Sequence, residues 1–457
     1  MYLRKVHIEN IRSIAKLDWE IPEGKEAGWH VVIGDNGSGK STFLRAVALA
    51  LVGMPEAMAL ALLQNWSDWL RQNEQQGRIK IQLNSDPKLV SQMELNKEFN
   101  SVLLEDEGIG SLLVNIEFSY PENNRFLSPT QDIDFSTFTH PRLKTDIPPI
   151  HNLIGFSAAY GPFRRFTGGD QESEKSFQYN PRLSAHLSIF HEKFALTECL
   201  QWLKELKFKQ LEQKPEGGLL ENVMAFINQE DFLPHQAQLT EISSDGVIFT
   251  DGDGQQISIE ELSDGYRSIL SLTFELIRQM SNHFQIDKIF SADSSTILAS
   301  GIVLIDEVDA HLHPTWQRRI GLWFREHFPN IQFIVTTHSP LVCQAAEHGT
   351  VFRLPAPGSE EQAGMVDGIA LQRLLYGDVL DAYGTALFGE DVGRSEKGKE
   401  MMQELAELNV KEVNFGLNKI ERAKQQKLRA AFPTMPYRPL VETSEPAING
   451  QRKEKRK

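Results

Sequence analysis

Glu261–Ser268 reads ELSDGYRS, a serine–glycine turn opening a helix expected over Asp264–Ser281. Far upstream, Gly34–Ser41 reads GDNGSGKS, and about 35 residues downstream of the turn the apolar strand Gly301–Glu307 (GIVLIDE) ends in two carboxylates. A loop of the form GxxxxGKS, entered from a strand and left by a helix, cradles phosphates on backbone N–H groups. Alone, that loop means only a bound nucleotide. A Ser–Gly turn at a second helix N-terminus, lying between the loop and the acidic strand, adds another phosphate-receiving surface. One copy does not easily bring that surface to the nucleotide its own loop holds, which points to two copies closing on ATP.

Each residue type in these stretches has a chemical reason to be there. Gly37 and Gly39 let the backbone turn its N–H groups toward the β-phosphate, with Asn36, Ser38 and Thr42 completing the nucleotide-binding loop. Lys40 neutralises the β/γ oxygens, and the Ser41 hydroxyl is a ligand for Mg²⁺. Asp306 stands where it holds Mg²⁺ through water, and Glu307 where it polarises an attacking water. His338, in Thr336–Pro340 (TTHSP), directly follows the buried-type strand Ile331–Val335. If that strand is a parallel neighbour of the acidic one, the imidazole senses the γ-phosphate. Ser263 has two readings: the N-cap of its helix, or, with Gly265, a receptor for a γ-phosphate held by another copy.

The ordered set GDNGSGKS, LSDGYRS, VLIDEVDAHLHP and TTHSP resembles the ABC-type ATPase superfamily, where it corresponds to Walker A, signature, Walker B with D-loop, and H-loop. The N-terminal pattern around Val6–Ser13 (VHIENIRS) is similar to the soluble SMC, RecF and overcoming-lysogenisation-defect branch. The resemblance covers residues 1–355 and implies an α/β P-loop head with ATP and Mg²⁺ as cofactors. It implies a nucleotide-binding role for Arg12 and places Asp309 in the loop that crosses the dimer seam. Asp264 and Tyr266 depart from the LSGGQ signature while Ser263 and Gly265 are kept. The family's Q-loop glutamine has no counterpart here; the turn Tyr160–Arg165 occupies that region, with Arg164 or Arg165 as its replacement.

Composition narrows the classes. Net charge is −15, against a protein coated by nucleic acid, although the segment from Lys419 to Lys457 is locally basic and its end reads as solvated. No run of about 18 apolar residues exists for a membrane span, the N-terminus lacks a signal-peptide core, and two cysteines make neither a disulfide framework nor a metal knuckle. The expectation is a cytoplasmic protein. His311 and His313, two apart, point to opposite sides if extended and are not read as zinc ligands; DGDG at 251–254 reads as a hairpin turn.

Strands are expected at Leu3–Ile8, Ile14–Ile21, Trp29–Ile33, Ser111–Tyr120, Leu153–Tyr160, Gly246–Thr250, Gln256–Ile259, Ile302–Ile305, Ile331–Thr336 and Val351–Leu354. Residues 55–100 read as helical with Trp66 and Trp69 on one face, 121–150 as a loop, 167–182 as a polar loop, and 183–227 as helical with a break at Pro215. The ATPase domain is set at 1–355, with a helical lobe inserted at about 167–240, and a helical appendage follows at 356–457. Overcoming-lysogenisation-defect proteins continue into a TOPRIM nuclease, but Asp378–Asp381 does not fit its acidic motif, so no nuclease is expected on this polypeptide. The C-terminal helices either pack on their own head or dock a partner.

An ATPase with a helical tail resembles bacterial phage-defence ATPases such as the PtuA subunit of Septu systems, which is partnered by an HNH nuclease. That resemblance implies an ATP-driven homodimer or higher homo-oligomer controlling a separate nuclease, with DNA reached through the complex. The alternative is a RecF-like ATP-dependent DNA-binding protein of repair or recombination. Transport energisation and a simple P-loop kinase fit less well, the first for want of membrane spans and the second because of the signature helix.

Overall fold

The structure is a computed structural model. It describes residues 1–84, 111–120, 127–134, 155–164, 166, 177, 179–194, 196, 198–230, 232–233, 236–244, 246–377, 382, 386–388 and 395–432. Two compact units are present, 1–390 and 391–457.

Strand β1 (Tyr2–Ile11) alternates inward Leu3, Val6 and Ile8 with outward charged residues and turns back into β2 (Ile14–Glu20), its antiparallel partner. Strand β3 (Gly28–Ile33) is buried at every position, as a parallel strand covered on both faces must be. Helix α1 (Lys40–Val52) is apolar nearly all round and buried, so it has no solvent face.

Next comes β4 (Gln76–Asn84), where residues 55–100 were expected to be helical. Only short helical turns stand at Met54–Ala57, Met58–Leu62 and Trp66–Trp69, and residues 85–100 lie outside the described residues. The reason is a period of two: Ile79, Ile81 and Leu83 are buried while Arg78, Lys80 and Gln82 face outward. Strand β5 (Ser111–Ser119) repeats that alternation, and β6 (Ser128–Asp134) follows inside the segment expected to be loop. Its polar sequence and Pro129 hide it, but β6 ends its sheet, and an edge strand tolerates proline.

Strand β7 (Ser157–Tyr160) leads to helices α2 (Glu198–Leu211) and α3 (Gly218–Ile227), separated by the expected break at Pro215. A small antiparallel sheet of β8 (Gln238–Ile242), β9 (Val247–Thr250) and β10 (Gln256–Ser258) comes next, of which β8 was not anticipated. The turn at 251–254 is closed by Asp251, whose carboxylate accepts the N–H groups of Asp253 and Gln255.

Helix α4 (Asp264–His283), β11 (Gly301–Ile305), α5 (Pro314–His327), β12 (Ile331–Thr336), β13 (Gly349–Arg353), β14 (Gly364–Met365) and α6 (Gly368–Tyr376) complete the first unit. In the second, α7 (Glu396–Phe415) and α8 (Lys419–Ala431) form a hairpin tied by Lys411–Glu421 and by Gln425 to Asn409 and Glu412. Val413, Phe415 and Ile420 are exposed at its turn. Asp378–Asp381 and the basic end 433–457 lie outside the described residues.

The core sheet runs β14-β13-β3-β12-β11-β7, parallel except for β14. Side chains alternate between its faces. Trp29, Val31, Ile33, Val303, Ile305, Phe333 and Val335 pack with α2 to α5; Val32, Ile302, Leu304 and Ile334 pack with α1 and the antiparallel sheet β2-β1-β4-β5-β6. Helix α1 is therefore the filling between two sheets. The first strand is stitched to the core by buried Gln332, whose side-chain amide exchanges both hydrogen bonds with the Leu3 backbone, at 2.7 and 2.9 Å. Among the described residues no single helix is long and apolar enough to cross a membrane.

Candidate nucleotide site

Strand β3 delivers the phosphate loop to the C-terminal edge of the core sheet. Gly39 holds the left-handed conformation (φ 101°), and a Cβ there would lie 2.8 Å from Ser13 Oγ and 3.0 Å from Ile14. Only glycine serves, and the β1–β2 turn is pressed against the loop. Gly37 (φ 79°) makes the preceding turn, with Asn36 exposed beside it and Ser38 and Thr42 buried. No side chain among the described residues caps α1, and its first turn carries no acid. Its N–H groups thus remain free for an anion.

Lys40 Nζ donates to the carbonyls of Gly34 (2.7 Å) and Asp35 (3.0 Å). Burial lowers its pKa, and Asp306, Glu307, Asp35 and Asp309 act against that shift. The lysine at the start of α1 therefore shares one field with acids some 270 residues away, because β12 lies between β3 and β11.

Asp306 is almost completely buried. Its N–H donates to the Tyr160 carbonyl at 2.8 Å, and its Oδ1 accepts the Thr336 hydroxyl at 2.6 Å. The same hydroxyl accepts the Glu307 N–H at 2.7 Å. Glu307 is half-buried and held at φ 45°, an unusual value outside glycine. Thr337 donates to Asp309 at 2.6 Å, so within one chain the D-loop aspartate is tied to the segment carrying His338. His338 itself is exposed, one residue past buried Thr337, at the end of the strand flanked by β3 and β11. The parallel pairing assumed for it is the pairing found, with Ile305 opposite Val335.

Arg12 is at φ 48° in the β1–β2 turn, with its guanidinium 4.6 Å above the Trp69 ring. Trp69 in turn stacks on Phe118. Arg12 Nε is buried and finds no hydrogen-bond partner among the described residues. Burial, then Arg45, pushes its pKa down to about 10, with Asp68 opposing. One donor of this cation thus stands unpaired, in the turn whose next residue, Ser13, packs against Gly39.

Ser263 occupies the N-cap position of α4, yet its side chain makes no capping bond. Gly265 is needed for close approach, since a Cβ would sit 3.0 Å from the His311 carbonyl. Beside them opens a cavity of about 210 Å³ lined by Leu233, Tyr266, Ile269, Leu312, His313 and Trp316 among others, and by no described residue of the phosphate loop. His313 caps α5 by accepting the Thr315 N–H.

The expectation that Arg164 replaces a Q-loop glutamine is not met. Arg164 is buried, and its donors go to Ser268 Oγ and to the carbonyls of Gly161, Asp306, Glu307 and Val308. Nothing remains for a nucleotide. Arg165 lies outside the described residues. Sequence reasoning also passed over Thr336 and Thr337, although both stand inside TTHSP; pairing Ile305 with Val335 sets the next residues, Asp306 and Thr336, side by side.

The residues fit MgATP. The glycine cradle, the uncapped helix, the buried Lys40 and the oxygen donors Ser41 and Asp306 are what a nucleotide with a hard divalent cation requires. With its motifs in this order on this sheet, the chain has the α/β architecture of an ABC-type ATPase head.

Among relatives, the Septu protein PtuA of Bacillus mycoides (strain KBAB4) is 26% identical over 355 residues, 77% of this chain and 40% of that protein. The chain thus matches less than half the length of that relative. The Retron Vc95 probable ATPase of Vibrio cholerae serotype O1 biovar El Tor is 24% identical over 385 residues, 74% of this chain and 71% of that protein. Among solved structures, the chain is similar to an SMC head bound to the C-winged helix domain of ScpA (15% identity, 80% of this chain and 98% of that one, TM-score 0.46). The family model AAA_21, described as "AAA domain, putative AbiEii toxin, Type IV TA system", matches residues 30–344. That match spans well over half of the chain, and the chain belongs to this family.

Proposed function

We propose that this chain is the ATP-binding and ATP-hydrolysing regulatory subunit of a bacterial anti-phage defence complex, closing head-to-head on ATP and controlling a separate HNH-type nuclease. The observation that carries the closed pair is the position of Ser263. Its hydroxyl caps nothing in its own helix and opens on a cavity apart from the loop that holds Lys40. The defence role is supported by likeness to the Septu PtuA and retron ATPases.

In this reading the phosphate loop from Asn36 to Thr42 binds the triphosphate, Lys40 neutralises its β/γ oxygens and Arg12 adds a cation at the loop's edge. Ser41 and Asp306 would hold Mg²⁺, which when bound offsets charge on the phosphate oxygens. Glu307 orients the attacking water and accepts its proton. His338 senses the γ-phosphate, Ser263 and Gly265 of a second copy close over it, and Asp309 lies at the seam. The exposed turn of the α7–α8 hairpin is the surface assigned to the nuclease.

The test is co-expression with the product of the neighbouring gene. ATP-dependent DNA cleavage and phage restriction, both lost with Lys40→Ala, are the expected results. If the pair shows neither, the defence reading fails; ATP-dependent DNA binding by this chain alone would favour a RecF-like clamp.

A further inference from the structure

Arg164 follows β7 by four residues and is 5% exposed. Its Nε donates to Ser268 Oγ at 3.2 Å, Nη1 to the carbonyls of Gly161 (3.0 Å) and Asp306 (2.7 Å), and Nη2 to those of Glu307 (2.9 Å) and Val308 (3.4 Å). Ser268 is itself buried, five residues past Ser263 on α4. Three successive carbonyls converge on one guanidinium because Glu307 takes its left-handed conformation between them. Burial lowers the arginine's pKa to about 10, opposed by Asp306, Asp309 and Glu307, so the group stays cationic at neutral pH. A planar fork with five donors meets this arrangement; a lysine ammonium, a point charge with three, does not.

We propose that Arg164 is a positioning residue that couples the signature end of α4 to the hydrolytic Glu307 of the same chain. Resting on the closed-pair reading, this makes the two nucleotide sites of a pair interdependent. When Ser263 of one chain engages its partner's nucleotide, any displacement of α4 reaches Ser268 and loads the guanidinium that holds the Asp306–Val308 backbone. The partner's ATP thereby sets the geometry of the chain's own catalytic carboxylate.

Ser268→Ala isolates this link, removing the α4 contact while leaving the four carbonyl bonds. Steady-state ATP hydrolysis and fluorescent-nucleotide binding would be compared in the full chain. The wild type should show sigmoidal ATP dependence with a Hill coefficient approaching about 2, the number of coupled sites. Ser268→Ala should become hyperbolic and about tenfold slower while nucleotide affinity holds, and Ser268→Thr, which keeps the hydroxyl, should restore both. A hyperbolic wild type, or a Ser268→Ala enzyme that keeps its sigmoidicity, would overturn the coupling, as would a slow variant that Ser268→Thr does not rescue. Light scattering of Glu307→Gln with ATP separates the two ideas. A monomer there defeats the pair itself, and a dimer alongside unaltered Ser268→Ala kinetics defeats only the coupling.

Discussion

The Thr336 hydroxyl donates to Asp306 Oδ1 at 2.6 Å while receiving the N–H of Glu307, so one side chain ties down the two acidic residues that follow β11. Thr336→Val keeps the shape and deletes the hydroxyl. It leaves a buried carboxylate and a buried N–H short of a partner. The expected loss is about 10–100-fold in kcat with a raised magnesium requirement, as for other groups that orient a metal ligand. Hydrolysis rates titrated against magnesium check this.

Glu307→Gln removes the carboxylate and keeps the side-chain size. Hydrolysis should fall about 10²–10⁴-fold, the usual contribution of a general base. The ATP-bound pair should then persist, and light scattering should report doubled mass on adding ATP. A species that stays monomeric with ATP would count against the closed pair.

Ser263→Arg places a long cation at the mouth of the cavity beside α4. Hydrolysis should drop while binding of one nucleotide per chain stays within about twofold, because Lys40 and the phosphate loop are untouched. Equal loss of binding and hydrolysis would mean that Ser263 serves only its own helix start.

His30 makes stability depend on pH. Its ring is fully buried between the Thr350 hydroxyl and the Glu26 carbonyl, and burial pushes its pKa down to about 4. His186, equally buried, is pushed down to about 3. Between these values and the unfolded value near 6.5 the unfolded chain binds more protons, so stability is full above pH 6.5 and is lost as pH falls toward 4. The His30 share is on the order of 3 kcal/mol. Urea midpoints from pH 7.5 to 4.5 should fall in the wild type and fall less steeply in His30→Gln.

Where the candidate site lies was legible because its residues sit in short contiguous motifs at strand ends. GDNGSGKS, GIVLIDE and TTHSP each lie where a buried apolar run stops, and their order sufficed to place Lys40, Asp306 and His338 at one sheet edge. What escaped depends on distant chain. Strand β4 lies inside the polar stretch 55–100 that reads as helical, and only the antiparallel sheet beside α1 makes its period of two decisive. Strand β6 hides behind proline and acids that an edge position tolerates. Arg164 looked like a nucleotide ligand by its neighbourhood, whereas its partners Ser268 and Asp306 are more than 100 residues away.

The strand that carries the phosphate loop has both of its sheet neighbours, β12 and β13, drawn from residues 331–353. During synthesis, β3 leaves the ribosome about 300 residues before either partner exists. At ordinary elongation rates that is a delay of roughly 15–60 s. Throughout it, the apolar strand β3 lacks both of its sheet neighbours, and the largely apolar α1 has only the antiparallel sheet to cover it, leaving its other face without the core sheet. Production of this protein should therefore respond strongly to chaperone supply and growth temperature, and chains interrupted before residue 353 should accumulate as aggregates rather than as partial nucleotide binders.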